Sequence, residues 1–385
     1  MNETAYYKAF KYKLKPTLAQ ERELEAGLWR CRTRNNTALE QRITAWQRCR
    51  VSVSQFQQEA ELKDIRAEFP DHATIHRHVS QDVLARRDKT YQAFFRRLQQ
   101  GKTAGFPRFK GRDRYRSCTY KEFGNGARLD NGMLVLATIG RIGVRWSRLI
   151  EGTPKTVTVS KEADGRYACI SCAEVPTVPL EPTGRETGID LGLESFATLA
   201  DGSRIFTPAC YPKAERRSKT AQRRVSRRKK GCHRRRKAMA LLAKAHQSIR
   251  RQRQAFHHKA ALSLVRAYDT IYFADLQVRN LLQNHHLAKS IQDAGWRGFL
   301  TILTFKAESA AKRVQAVNPT FTSQACSGCD ILVQKGLSVR WHTCPGGGTR
   351  LRREHNAAKN LERLEQSLRG GAALAASENR ESAGI

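Results

Sequence analysis

Thr187–Phe206 reads TGIDLGLESFATLADGSRIF. Thr187–Leu191 is a short apolar run with one acid, Asp190. Phe196–Ala200 is a second run, and Asp201-Gly202 turns it into a third strand near Arg204–Phe206. Downstream, Asp269–Leu276 (DTIYFADL) is an apolar strand that closes on an acid. Ser290–Val317 has the period of one long helix, with Trp296, Phe299, Leu300, Leu303, Ala307, Ala310 and Val314 inward. Arg350–Leu368 predicts another helix, with Ala357, Leu361, Leu364 and Leu368 inward. Glu354 falls on that same stripe, where a carboxylate is uncommon. It either holds a metal beside Asp190 or complements the helix dipole.

A hairpin whose first strand carries an Asp is how an RNase H-like domain begins. The chain ahead of it differs in character. Residues 5–15 alternate like a strand and stop at Pro16. From Thr17 the pattern is helical through Leu24, Leu28, Cys31, Leu39 and Ile43, and a second helix after Ser80 places Leu84, Tyr91, Phe95 and Leu98 on one face. Short strands follow at Met133–Ala137, Ile142–Trp146, Thr156–Ser160 and Arg166–Ala173. The expected fold is α+β: an N-terminal β-barrel with a helical insertion, a linker at Pro176–Pro182, then an RNase H-like α/β domain. The boundaries are 1–16 and 105–182 for the barrel and 17–104 for the insertion. The α/β domain takes 183–319, with a basic helical segment at 212–262, and ends in a helix at 349–369. Residues 320–348 form a cysteine-bearing insertion and 370–385 a disordered tail.

The 70 Lys and Arg against 35 Asp and Glu leave a formal charge of +35. That balance fits a polyanion partner better than a small-molecule substrate. It concentrates in Lys213–Lys237, which holds Arg223, Arg224, Arg227, Arg228, Lys229, Lys230, Arg234, Arg235 and Arg236, with Glu215 the one opposing acid. Such density favours phosphate contact, and few aromatics interleave, so the backbone rather than the bases is the expected target. No run of apolar residues is long enough for a membrane span and no signal peptide opens the chain, so a cytoplasmic, nucleoid-associated protein is expected. Its 10 cysteines are then thiols or metal ligands. Cys326-Ser327-Gly328-Cys329, followed by Cys344-Pro345 at a glycine-rich turn, has the look of a zinc ribbon. Gly347 stands where the fourth cysteine belongs, and His342, on the strand face of Cys344, is the substitute ligand at hand. Cys169 and Cys172 sit in a strand, where i and i+3 face opposite ways.

In order along the chain, KYKLKP (Lys11–Pro16), GFPRFK (Gly105–Lys110), GIDLGLESFATLADG (Gly188–Gly202), SRRKKG (Ser226–Gly231), SIQDAGW (Ser290–Trp296), TSQACSGC (Thr322–Cys329), LSVRWHTCP (Leu337–Pro345) and HNAAKNL (His355–Leu361) resemble the TnpB (OrfB) family. These are transposon-encoded RNA-guided DNA endonucleases related to type V CRISPR effectors. The resemblance implies a wedge barrel with a recognition insertion, then a RuvC-like domain carrying a zinc ribbon. It also implies a guide RNA, a double-stranded DNA target beside a short motif read by the N-terminal lobe, and two Mg²⁺ ions. On it, Arg108 and Lys110 join the basic run as nucleic-acid contacts, and Asp190 is a Mg²⁺ ligand.

The departures from the family pattern cluster. Its first Asp matches Asp190, its Glu matches Ala274, and its last Asp matches Glu354, while Arg352 stands in place of a further Asp. Two Mg²⁺ ions about 4 Å apart need oxygens that Ala274 lacks. The expectation is an RNA-guided DNA-binding derivative with reduced or lost nuclease activity, in the manner of a transcriptional repressor. Two alternatives stay open: an active nuclease with a rearranged site of Asp190, Glu308 and Glu354, and an unguided basic DNA-binding transposon remnant.

Overall fold

The computed structural model describes residues 6–208, 210–336 and 339–364. The expected tail at 370–385 and the inward Leu368 lie outside them. The chain forms two compact units, Met1–Pro176 and Thr177–Ile385.

In the first unit β1 (Lys8–Lys15) leads into α1 (Leu18–Cys49), α2 (Gln55–Ala60), α3 (Leu62–Glu68), α4 (Pro70–Ala73) and α5 (Arg77–Gln99). The chain then returns through β2 (Ser117–Tyr120), β3 (Ala127–Asp130), β4 (Met133–Leu136), β5 (Gly140–Arg145), β6 (Thr153–Glu162) and β7 (Gly165–Ala173). Pro16 ends the strand. Thr17 starts the helix through a reciprocal cap, in which its hydroxyl accepts from Gln20 N–H (3.3 Å) and Gln20 Oε1 accepts from Thr17 N–H (3.0 Å). The seven strands form one curled antiparallel sheet in the order β2-β6-β7-β1-β5-β4-β3. Its edge strands β2 and β3 are successive in the chain, so the barrel expected from the sequence is an open sheet rolled toward closure. Phe10, Leu134, Ile142 and Val157 fill its core. The buried Arg166 donates to Glu21 (2.9 Å) and Glu25 (2.6 Å), fastening α1 to the sheet. Leu84 and Tyr91 of α5 are buried as their period predicts, but Phe95 and Leu98 are exposed.

The second unit begins with β8 (Glu186–Asp190), β9 (Ala197–Leu199) and β10 (Arg204–Ile205). A basic helical hairpin follows, α6 (Cys210–Ser226) and α7 (His233–Ala267). Then come β11 (Thr270–Ala274), α8 (Val278–Leu281), α9 (Ala288–Ala294), α10 (Trp296–Ser309), β12 (Arg313–Val317), β13 (Trp341–Thr343), β14 (Arg350–Arg352) and α11 (353–364). The sheet runs β10-β9-β8-β11-β12, with β8, β11 and β12 parallel and the hairpin antiparallel. Ile189 and Ile271 face α7 and α10, among Leu264, Phe299 and Leu303. The other face carries Gly188, Tyr272, Ala274 and Val317 and is covered by α11 through Leu361. The helix lies so close that a Cβ on Gly188 would stand 2.0 Å from the Ala358 carbonyl oxygen.

Two element boundaries differ from the sequence reading. The single helix expected over Ser290–Val317 is broken by Gly295, which is left-handed (φ 65°), and ends at Ser309. Arg313–Val317 is instead a parallel strand in which Val314 pairs with Ile271. The C-terminal helix starts at 353, because Arg350–Arg352 pair with Trp341–Thr343. Among the described residues no helix is long and apolar enough to cross a membrane.

Candidate functional site

Asp190 ends β8 at the edge of the sheet where the parallel strands finish. β8 and β11 pair in register, Tyr272 with Gly188 and Phe273 with Ile189, and the next step sets Ala274 beside Asp190 on the face that α11 covers. Glu354 lies in the first turn of α11 over that same edge. Burial first and then the charge of Glu354 push the Asp190 carboxyl up to about 7, against the opposing charge of Arg353. Two acids thus converge with too little positive charge between them, which is the electrostatic condition a divalent cation relieves. Arg340 supplies part of that charge, with Nη1 3.1 Å from Glu354 Oε1. At the third corner the Ala274 methyl is buried among Tyr272, Val317 and Leu361. Asp190 and Glu354 are thus the acids of this corner, and Ala274 brings no oxygen to it.

Neither neighbouring acid fills the gap. Asp275 is exposed one residue past the strand, its N–H donating to the Val317 carbonyl (2.9 Å). Glu308 is exposed near the end of α10, which turns through Ala310–Lys312 directly into the start of β12. Arg313 there pairs with Thr270 and so lies level with Glu186. Glu308 is thus at the entry edge of the sheet, about 13 Å of strand from Asp190. The rearranged set Asp190, Glu308 and Glu354 is not brought together. Periodicity put Glu308 at the border of an apolar face but carried no information on which end of the sheet that border meets.

Glu354 is held in place by the asparagines that follow it. Asn356 Nδ2 donates to the Ala325 carbonyl (2.7 Å) and its Oδ1 accepts from Ser327 N–H (2.9 Å). Asn360 Nδ2 donates to the carbonyls of Thr322 and Ala325 (2.8 Å each). Both side chains are buried, so α11 is clamped to the loop bearing Cys326. Arg352 donates to Glu194 (2.6 Å) in the turn just after Asp190, a link between the cysteine hairpin and the strand end. In HNAAKNL (His355–Leu361) two Asn four apart before a leucine on an apolar stripe are the sequence signal of this polar clamp.

The sulfurs of Cys326, Cys329 and Cys344 lie within 4.8 Å of one another, Cys329 and Cys344 at 3.4 Å. A tetrahedral zinc with bonds of about 2.3 Å spaces its sulfurs by about 3.8 Å, so three thiolates fit the ion. Burial pushes the Cys326 thiol up. Hydrogen bonds from Gly328 N–H, His342, Thr349 and Cys329 N–H outweigh that and bring it down to about 6. A Cβ at Gly347 would sit 3.3 Å from Cys329 Sγ, so position 347 faces the cluster and leaves it one ligand short. His342 is buried against Cys326, its Nδ1 beside Lys335 Nζ, but it lies outside the three-sulfur group. Cys169 and Cys172 do not converge with these or any third ligand among the described residues.

The basic residues divide into two kinds. Arg223, Arg224, Arg227, Lys229, Lys230, Arg234 and Arg236 are exposed on or between α6 and α7. Arg235 instead donates inward, to the carbonyls of Val225 (2.9 Å) and Arg228 (2.8 Å), capping α6. Arg228 is half-buried in that turn. In the first unit Arg108 and Lys110 are exposed on a loop that Asn36 pins to α1. Asn36 Oδ1 accepts from Lys110 N–H (2.8 Å) and its Nδ2 donates to the Lys110 carbonyl (3.0 Å).

Residues 169–285 match the OrfB_IS605 family, described as "Probable transposase", and residues 296–361 match the "Cas12f1-like, TNB domain" family. A Streptomyces pristinaespiralis protein named "Putative RNA-guided DNA endonuclease" is 34% identical over 362 residues, 92% of this chain and 88% of its own. The Escherichia coli K12 protein InsQ, of the same description, is 28% identical over 300 residues, 73% of this chain and 72% of its own. A chain from a cryo-EM structure of the Cas12f1–sgRNA–target DNA complex covers 92% of this chain and 98% of its own at 11% identity, with a TM-score of 0.36. A hairpin-led mixed sheet with helices on both faces and Asp190 at the end of its first strand, joined to a cysteine hairpin, has the architecture of the RNase H-like class. Within that class the chain belongs to the TnpB family of transposon-encoded proteins.

Proposed function

We propose that this chain is an RNA-guided DNA-binding protein whose nuclease activity is reduced or lost, acting by occupying matched DNA and blocking transcription. The observation that carries the reading is Ala274, an apolar methyl in register beside Asp190 where a metal site needs a third carboxylate. Asp190 and Glu354 would hold one divalent cation such as Mg²⁺, which supplies Lewis-acid stabilisation to a phosphate oxygen. The attacking and leaving oxygens of an in-line displacement then lack their paired clamp. Binding does not draw on this corner. A guide RNA supplies sequence by base pairing, and the exposed cations of α6 and α7 meet phosphates whatever the bases. The names of the relatives support the RNA and DNA partners.

The test is purification with the co-purifying RNA, sequencing of that RNA, and incubation with matched duplex DNA and excess Mg²⁺ or Mn²⁺. The reading expects a retained structured RNA and target occupancy without strand breaks. Rapid cleavage that Asp190→Ala abolishes would refute the loss of activity, and absence of retained RNA would refute guidance.

A further inference from the structure

We propose that a cleft in the first unit, between α1 and α5, binds one unstacked nucleobase. It encloses about 410 Å³, walled by Trp46, Tyr91, Phe94, Phe95 and Phe106, with Arg42 among them. The rings form a connected set. Tyr91 lies 6.2 Å from Phe95 in a stacked pair and 5.9 Å edge-on to Phe106, and Phe94 meets Phe106 at 5.4 Å. Yet Trp46 and Phe95 are each 53% exposed and Phe106 49%. So many large rings open to water around one cavity mark a surface built to be covered.

Arg42 is part of the wall of the cleft. It is nine-tenths buried, its guanidinium 5.1 Å from the Tyr91 ring. Its Nε donates to Gln58 (3.0 Å) and its Nη1 to Asp88 (3.0 Å), but its Nη2 is buried with no acceptor. That nitrogen has no surface open to the cleft, so what the cleft presents to an occupant is π-faces. A nucleobase answers them with a ring to stack. The rim supplies a phosphate contact of the kind that comes with a base: Arg50 is exposed 5.9 Å from the Trp46 ring, and the exposed Arg108 follows Phe106 by two residues. A second copy of the chain is the wrong occupant, because two surfaces of a protein with a formal charge of +35 repel. The aromatic content also separates this cleft from the α6–α7 run, which has charge with few rings.

The proposal rests on the reading of the chain as nucleic-acid-binding, and the test separates the two. Full-length protein stripped of nucleic acid is titrated by fluorescence anisotropy with fluorescein-labelled single-stranded RNA, single-stranded DNA and blunt duplex DNA. Trp46→Ala and Phe95→Ala, both at exposed positions, are expected to weaken single-strand binding about five- to hundredfold with the salt slope unchanged, since no phosphate contact is lost. Trp46→Phe should bind like the parent, and matching circular dichroism melts show that the fold is kept. The stronger of the two single strands names the ligand. Unchanged single-strand binding in both alanine variants overturns the cleft while leaving the proposed function intact. So does an equal loss on duplex DNA, which has no free base to insert, or a drop in sedimenting mass that reveals a second copy as occupant. A parent that binds none of the three probes overturns both.

Discussion

The basic hairpin α6–α7 and the strand-end site lie in the same unit but place different demands on their residues. The hairpin needs charge of one sign on an exposed surface. Its arginines are largely interchangeable, and one of them, Arg235, is diverted to capping α6 without emptying the surface. The strand-end site needs particular oxygens at particular points. On the proposed reading, the methyl of Ala274, packed against Tyr272, Val317 and Leu361, stands where a two-metal site would need an oxygen. Long-range attraction to a polyanion falls off slowly with position, whereas metal coordination tolerates errors of about 0.2 Å. A protein can therefore keep its nucleic-acid surface while its chemistry lapses.

The largest effect should come from restoring the weaker side. Ala274→Glu with Glu354→Asp is expected to raise DNA cleavage by about 10²-fold or more in Mg²⁺, measured on guide-loaded protein and matched DNA. No gain would move the fault from the missing ligand to the support of α11. That support is open to its own test. Gly347→Cys aims a fourth thiolate at the Cys326–Cys329–Cys344 cluster, and should tighten zinc by at least the ~10–100-fold that an outer-shell partner is worth. Zinc content after chelator challenge reads it, and equal retention by parent and variant would mean that three thiolates already suffice.

The surface side should yield more gently. Arg223→Ala, Arg224→Ala and Arg227→Ala together are expected to flatten the plot of log affinity against log salt by about 2–3 units, at roughly 0.7–0.9 per phosphate contact. A parallel line with lower affinity would mean that these residues act through the fold. The smallest effect concerns neither region. Lys312 holds the Asp269 carboxylate well below its usual range, with the N–H groups of Thr183 and Gly184 adding to it. A depressed carboxylate contributes stability above its unfolded pKa of about 4, and that contribution is lost as pH falls through the native value. Asp269→Asn should lower the melting temperature at pH 7 and close the gap to the parent in acid; a constant gap from pH 7 to acid would exclude the linkage.

Part of the site was legible in the chain and part was not. Asp190 announced itself as the lone acid in a short apolar strand. Ala274 and Gly347 became meaningful only through the family resemblance, because an alanine in a strand and a glycine in a turn carry no signal alone. Phe95 shows the same limit from the other side. Its helical period assigns it to the buried stripe, but its ring meets Tyr91 and Phe94 and stays about half exposed.

What the amino-acid order determined by itself was local: the strand of Asp190, the Asp201-Gly202 hairpin, the capped start of α1, the charge of Lys213–Lys237 and the paired cysteines. Each follows from neighbours a few residues apart, through period, turn chemistry or like charge. What only the tertiary structure decided was which distant pieces meet. Strand register set Ala274 beside Asp190 across more than eighty residues, the turn after α10 sent Glu308 to the opposite edge of the sheet, and Asn356 and Asn360 tied α11 to the Cys326 loop. Periodicity tells which face of an element is buried. Which end of the sheet that face reaches, and what waits there, depends on long-range pairing that no local pattern encodes.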